Sequence, residues 1–348
     1  MSLTIPRISM AEWRSDAASR KGMARRFVEQ LHEIGFFTVV DHGIDEAFIE
    51  QYFSALTEFF ALPEEVKARI EKVRSPHFRG WERIGSELTD NKIDYREQLD
   101  LLTEYPAYPS DVQPEYLRLD GPNQWLDDDI LPGFRPLVES FIAQVSALAN
   151  ELMSIIAIGL GLAEDTFTIR FGERPLSLTK LISYPPTPVG MAGVNVHNDA
   201  GFLTLVLQNG VPGLEVLTPG GEFVVVPPER GTFAMNIGEM LQTMTGNYLV
   251  ATKHRVINDE HRYSSAYFHG PDLRAELTML ELAPEFADAV AASDRHRSAG
   301  FMAKRDELLA GDGGINSAPV LQYGQMMWNY YVRSYPDIVL SNYPDVTV

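Results

Sequence analysis

The segment Gly193-Val-Asn-Val-His-Asn-Asp-Ala-Gly-Phe202 sets a histidine and an aspartate one residue apart. Residues i and i+2 of an extended chain face the same way, so His197 and Asp199 can converge on one ion while Val194 and Val196 face a core. A lone His-X-Asp carries little weight in a chain with eight histidines, and a third ligand has to come from elsewhere. His254, in Ala-Thr-Lys-His-Arg-Val-Ile-Asn, lies in a β-rich run where a neighbouring strand could bring it alongside. Two imidazoles and a carboxylate on one face of an octahedron leave three positions open, the arrangement expected of non-haem iron(II) oxygenases. The same donors also suit Zn²⁺ with one open position. Shortly after His254, Arg262 and Ser264 share a face by the same i, i+2 rule. A guanidinium beside a hydroxyl is suited to a terminal carboxylate, although Arg-X-Ser alone is a common surface pattern.

Composition narrows the partners. The chain has 348 residues, is 45% hydrophobic and carries a formal net charge of −19. That charge repels phosphate backbones and anionic lipid, so the expected partner is a small molecule, with no nucleic acid and no membrane. No cysteine occurs. Disulfides, thiolate ligands and cysteine nucleophiles are thereby excluded, and a reducing cytoplasmic location is the expectation. The N-terminus lacks a basic stretch followed by an apolar one, so no signal peptide is expected. Met153–Ala163, the most apolar segment, is about half the length of a membrane span and is expected to be the buried end of a helix.

The elements that must position these residues fall into two textures. Met23, Phe27, Leu31 and Ile34 recur at helical spacing, Gly35 ends the helix, and Phe36–Val40 reads as a strand. A second helix is expected over Asp45–Phe60, another from Pro63, and an irregular stretch from Ser75 to Pro109. Leu137, Phe141, Val145, Leu148 and Leu152 mark one side of a long amphipathic helix. After Arg170 short β-rich runs alternate with Pro and Gly, including a hairpin-like Pro219-Gly220-Gly221, and from Phe301 to Tyr335 the pattern returns to helix. The expected fold is mainly β with flanking helices, an antiparallel barrel or two-sheet jelly roll. Residues 1–110 form its N-terminal helix and strand region, 111–170 a long support helix, 171–285 the catalytic core and 286–348 a helical tail.

Several segments in order resemble the isopenicillin N synthase-like family of iron(II)/2-oxoglutarate-dependent dioxygenases. They are GFFTVVDHGI, FFALPEEVK, YPP at Tyr184, NIGEMLQTMTGNYLVATKHRVIN and RYSSAYFHGPD, which together span most of the chain. The resemblance implies a double-stranded β-helix jelly roll with flanking helices. It implies that His197, Asp199 and His254 bind Fe(II), that Arg262 and Ser264 hold the far carboxylate of the co-substrate 2-oxoglutarate, and that Tyr184 supports it. O₂ would be the second co-substrate, with succinate and CO₂ released as a small molecule is oxidised, by default hydroxylated. SELTDNKID, AYFHGPD and YGQMMWNYYVRSYPD are similar to segments of bacterial ethylene-forming enzymes, and by that likeness Glu87, Thr89, Lys180 and Arg333 would approach the substrate. Ala200 stands where those enzymes carry a pocket-shaping tyrosine, so neither the ethylene reaction nor the arginine substrate is carried over.

Other readings stay open at this level. A 2-oxoglutarate-independent iron oxidase of the isopenicillin N synthase type, closing a ring or desaturating its substrate, would use Arg262 and Ser264 to hold the substrate carboxylate instead. A zinc hydrolase would need a general base, and none is evident beside the triad. A catalytically silent binding protein would have no use for three intact ligands plus Arg262.

Overall fold

Leu203-Thr-Leu-Val-Leu-Gln208 alternates large apolar side chains with smaller or polar ones, as a strand between two different layers must. In the computed structural model, which describes residues 5–15, 17–89, 92–298 and 321–346, it is such a strand. Leu203, Leu205 and Leu207 pack into a core shared with helices, while Val206 faces a second core. The strands up to His269, in chain order, are β1 (Arg7–Ser9), β2 (Phe36–Val40), β3 (Gly80–Glu82), β4 (Leu88–Thr89), β5 (Lys92–Ile93), β6 (Glu97–Leu102), β7 (Leu178–Tyr184), β8 (Val194–His197), β9 (Leu203–Gln208), β10 (Leu214–Leu217), β11 (Phe223–Val225), β12 (Phe233–Ile237), β13 (His254–Val256) and β14 (Arg262–His269). Eight of them form a major sheet in the order β1-β2-β12-β9-β14-β7-β6-β3, and four a minor sheet in the order β11-β10-β13-β8. Apart from the parallel β1·β2 pair, pairing within the two sheets is antiparallel.

The two sheets face each other. Val194, Leu214, Val216 and Val256 of the minor sheet share one core with Ile182, Tyr184, Ala234 and Ala266 of the major sheet. The opposite face of the major sheet carries Leu205, Phe233, Met235 and Tyr267, which pack with Val138, Phe141 and Val145 of the helix Phe134–Gly159. That helix meets the helix Arg20–Glu33 closely at Gly159, where an added Cβ would lie 2.3 Å from the Ala24 carbonyl oxygen. By length and composition it could cross a membrane, and half of its most apolar window is buried inside the fold. The helix Glu46–Ala61 begins as its sequence predicts, with the Asp45 side chain accepting from Phe48 N.

Two expectations are corrected. Val194 faces a core but Val196 does not: it is exposed, at the strand's outer face. The stretch from Ser75 to Pro109 is not irregular: it holds β3, the β4–β5 hairpin and the six-residue β6. Glu82, Glu97, Gln98 and Asp100 hide these strands from a hydrophobic pattern, because Glu97 bonds to Lys67, Asp100 to Lys72 and Gln98 to Glu82 rather than to solvent. The helical tail expected from Phe301 lies, up to residue 320, outside the described residues; beyond it Tyr323–Ser334 is a helix.

Candidate active site

β8 and β13 are neighbours in the minor sheet, and their register sets His197 directly opposite His254. Asp199 follows β8 after one residue. Its Oδ1 lies 3.5 Å from His197 Nε2 and 3.6 Å from His254 Nε2, so one atom from each residue is near enough to share a single ion. The remaining polar atoms are occupied. His197 Nδ1 bonds to the Asn195 carbonyl at 2.8 Å and His254 Nδ1 to the Thr252 carbonyl at 3.1 Å, which leaves both Nε2 lone pairs aimed inward. Asp199 Oδ2 accepts from Thr204 Oγ1 and, at 2.6 Å, from Asn236 Nδ2. Three donors on one side, each fixed by a hydrogen bond to its other polar atom, fit a divalent ion that keeps open positions.

The electrostatics agree. Burial pushes His254 down to about 4, so it is neutral and available as a ligand at pH 7. Burial disfavours the charged form of His197 too, but its bond to Asp199 outweighs this and raises its pKa. Asp199 is buried, yet the two histidines and Thr204 hold it well below the usual carboxylate range. His197 is the open side of the group, with 28% of its side chain exposed against 9% for His254 and 4% for Asp199.

The loop after Asp199 is pinned from β12 onward. Glu239 N donates to the Asp199 carbonyl at 2.8 Å. The close approach depends on Gly238, where a Cβ would stand 2.2 Å from the Gly201 carbonyl oxygen.

Across the inner face, β14 pairs Arg262 with Tyr184 of β7 and Ser264 with Gln208 of β9. The Arg262 side chain is buried and donates to Ser264 Oγ and Gln208 Oε1, each at 3.2 Å, with its guanidinium 4.9 Å from the centre of the Tyr184 ring. Its Nε has no partner, and among the described residues no carboxylate pairs with it. A buried cation held only by neutral groups is a costly arrangement that an incoming carboxylate relieves.

Glu87, Thr89 and Lys180 belong to a buried ionic cluster on the same side of the major sheet. Lys180 Nζ donates to Asp100 Oδ2 at 2.8 Å and Glu87 Oε1 at 3.2 Å; Arg96 Nη2 bonds to Glu87 Oε2 and lies 3.4 Å from Asp94 Oδ2. Lys72 joins Glu82, Asp100 and the Tyr335 hydroxyl. Thr89 donates to Asp94 Oδ2 at 2.7 Å, and Asp94 Oδ1 in turn accepts from Asn195 N, two residues before His197. Burial opposes the charge on Glu87, but Arg96, Lys180 and Lys72 outweigh it and keep the carboxylate ionised. Arg333 is exposed on the helix Tyr323–Ser334, and Tyr330 and Tyr331 of that helix feel the cluster.

Sequence reasoning missed Arg96, Asp100, Gln208 and Asn236. All but Arg96, which precedes β6 by one residue, are polar residues within strands, and all four are buried. A polar residue inside an otherwise apolar strand run, as in Phe-Ala-Met-Asn-Ile, was the available signal.

Residues 5–128 match the family profile described as non-haem dioxygenase in morphine synthesis N-terminal, and residues 169–271 match that of the 2OG-Fe(II) oxygenase superfamily. A 2-oxoglutarate-dependent dioxygenase of Didymella fabae is 32% identical over 295 residues, covering 80% of this chain and 88% of its own. A homoarginine-6-hydroxylase of Oryza sativa subsp. japonica is 32% identical and covers 76% of this chain and 82% of its own. Among solved structures, a full-length Neurospora crassa protein in complex with alpha-KG and thymine aligns with a TM-score of 0.70 at 26% identity, covering 82% of this chain and 90% of its own.

Proposed function

The chain belongs to the 2OG-Fe(II) oxygenase superfamily, and from that premise we propose that His197, Asp199 and His254 hold its iron and that Arg262, Ser264 and Tyr184 hold its 2-oxoglutarate. It is a non-haem iron(II)- and 2-oxoglutarate-dependent oxygenase that oxidises a small molecule with release of succinate and CO₂. We read the two facing sheets as the family's double-stranded β-helix, and hydroxylation as the outcome. Iron(II) supplies the activation of O₂, coupled to oxidative decarboxylation of 2-oxoglutarate. The chain's own residues do the rest. Asn195, Thr252, Thr204 and Asn236 fix the orientation of the three ligands, Arg262 and Ser264 anchor the far carboxylate, and the apolar side chains of both sheets keep water out.

The observation that carries this reading is Arg262, a buried guanidinium with no carboxylate beside it among the described residues, on the sheet that faces the triad. The test is spectroscopic. Under anaerobic conditions the protein loaded with Fe(II) is expected to develop a weak visible metal-to-ligand charge-transfer band when 2-oxoglutarate is added, because a chelating 2-oxo acid places a low-lying acceptor orbital beside filled d orbitals. Zinc gives no such band. Full iron binding with no band at saturating 2-oxoglutarate would overturn this reading in favour of the oxidase.

Glu87, Thr89 and Lys180 line the substrate side in this reading, with Arg333 on the exposed face of the helix that borders it. Four carboxylates (Glu82, Glu87, Asp94 and Asp100) meet three cations (Lys72, Arg96 and Lys180) in the cluster, which favours a substrate bearing a positive group. The name of the homoarginine-6-hydroxylase relative points the same way. Succinate release is therefore expected to be stimulated more by amino acids with amine or guanidine side chains than by their neutral isosteres, and Glu87→Gln should narrow that difference. Equal stimulation by both sets would remove the cationic group from the substrate.

A further inference from the structure

β6 pairs with β7 through Glu97↔Ser183 and Gln98↔Ile182, and β14 pairs with β7 through Arg262↔Tyr184. Continuing the first register by one residue sets Arg96 opposite Tyr184. The row Arg262–Tyr184–Arg96 therefore runs from β14 across β7 to the residue before β6, on the inner face, where Tyr184 shares a core with Ile182 and Ala266. Both guanidinium groups are buried, and Tyr184 favours the charged form of each. Arg96 reaches Glu87 and Asp94 through Nη2, while its Nε has no hydrogen-bond partner among the described residues. Glu87 is already paired with Lys180, so neutralising Glu87 does not by itself require Arg96.

The chemistry of the phenol gives this row a direction. A tyrosine oxygen offers two acceptor lone pairs and one proton, whereas a guanidinium is donor-only. Neither arginine can take the Tyr184 proton, so that proton is left for a third group that accepts. We propose that Arg96 is a positioning residue for 2-oxoglutarate: its guanidinium occupies and polarises the Tyr184 oxygen, so that the hydroxyl proton is presented to the co-substrate carboxylate held by Arg262. Arg96 is also the shared member between this row and the ionic cluster at Glu87, so it joins the co-substrate side to the substrate side. The inference rests on the assignment of Arg262, Ser264 and Tyr184 to 2-oxoglutarate.

The test is calorimetric titration of 2-oxoglutarate into the full-length protein loaded with Mn(II), without turnover. Arg96→Met and Tyr184→Phe are each expected to raise the Kd for 2-oxoglutarate about tenfold, the scale of one charge-assisted hydrogen bond. The double variant should be little worse than either single one, since both changes remove the same interaction. Arg96→Lys should recover part of the loss, and Mn(II) affinity should stay at the wild-type value throughout. An unchanged Kd in Arg96→Met, or fully additive losses in the double variant, overturns the proposal. If Arg96→Met does not fold, Arg96→Lys and Tyr184→Phe carry the same comparison, and a wild-type Kd in Arg96→Lys combined with additivity overturns it equally. A wild-type protein that binds Mn(II) but no 2-oxoglutarate would instead remove the co-substrate assignment itself.

Discussion

Alanine in place of His197, Asp199 or His254 is expected to abolish iron(II)-dependent succinate formation while the fold persists. Each residue contributes one inward donor atom, and with three in all the loss of one leaves an ion too weakly held to work. The fold should survive because these side chains sit between the sheets without carrying their main packing, which comes from Val194, Val216, Val256 and Ile182. The check pairs succinate release at saturating Fe(II) and 2-oxoglutarate with metal content and a melting curve. Undiminished turnover in any one variant removes that residue from the triad. Asn236→Ala separates holding from ligating: it frees Asp199 Oδ2 from one of its two donors, so metal affinity should fall about 10- to 100-fold and excess metal should restore turnover.

Arg262→Ala should raise the 2-oxoglutarate requirement steeply. Removing one partner of a buried, hydrogen-bonded charge pair costs roughly 2–5 kcal/mol, or about 30-fold to several-thousand-fold in affinity. Arg262→Lys should recover little, because a point charge replaces a planar fork that reaches Ser264 and Gln208 at once. The stability effect has the opposite sign. Burial lowers the pKa of Arg262, and without a bound anion its charge is solvated only by neutral groups, so the free variant should melt no lower than the wild type. What the variant loses is the rise in Tm on adding 2-oxoglutarate. If lysine supports the wild-type requirement, the contact is a generic charge and the fork assignment is wrong.

The spacing that groups the candidate ligands was legible because it is mostly local. His197 and Asp199 share a face by the two-residue period of an extended segment, and Arg262 and Ser264 do so by the same rule. Helix ends were legible for the same reason: Asp45 caps its own next turn, and Gly35 takes a φ of +69° where the helix Arg20–Glu33 gives way to β2. Even His254, far along the chain, was found from a β-rich setting and the order of motifs. What the sequence by itself could not determine was which polar residues face inward together. Glu87 was reached only through a likeness to other enzymes, and β6 read as a loop, because the partners that allow Gln98 and Asp100 to be buried and Glu97 to be half-buried come from Lys67, Glu82, Lys72 and Lys180 on other segments. Asn236 reaches Asp199, and Arg96 stands opposite Tyr184, through strand register. Register is fixed by how two sheets bury their apolar faces against each other and against the helix Phe134–Gly159, a long-range condition that no local period encodes.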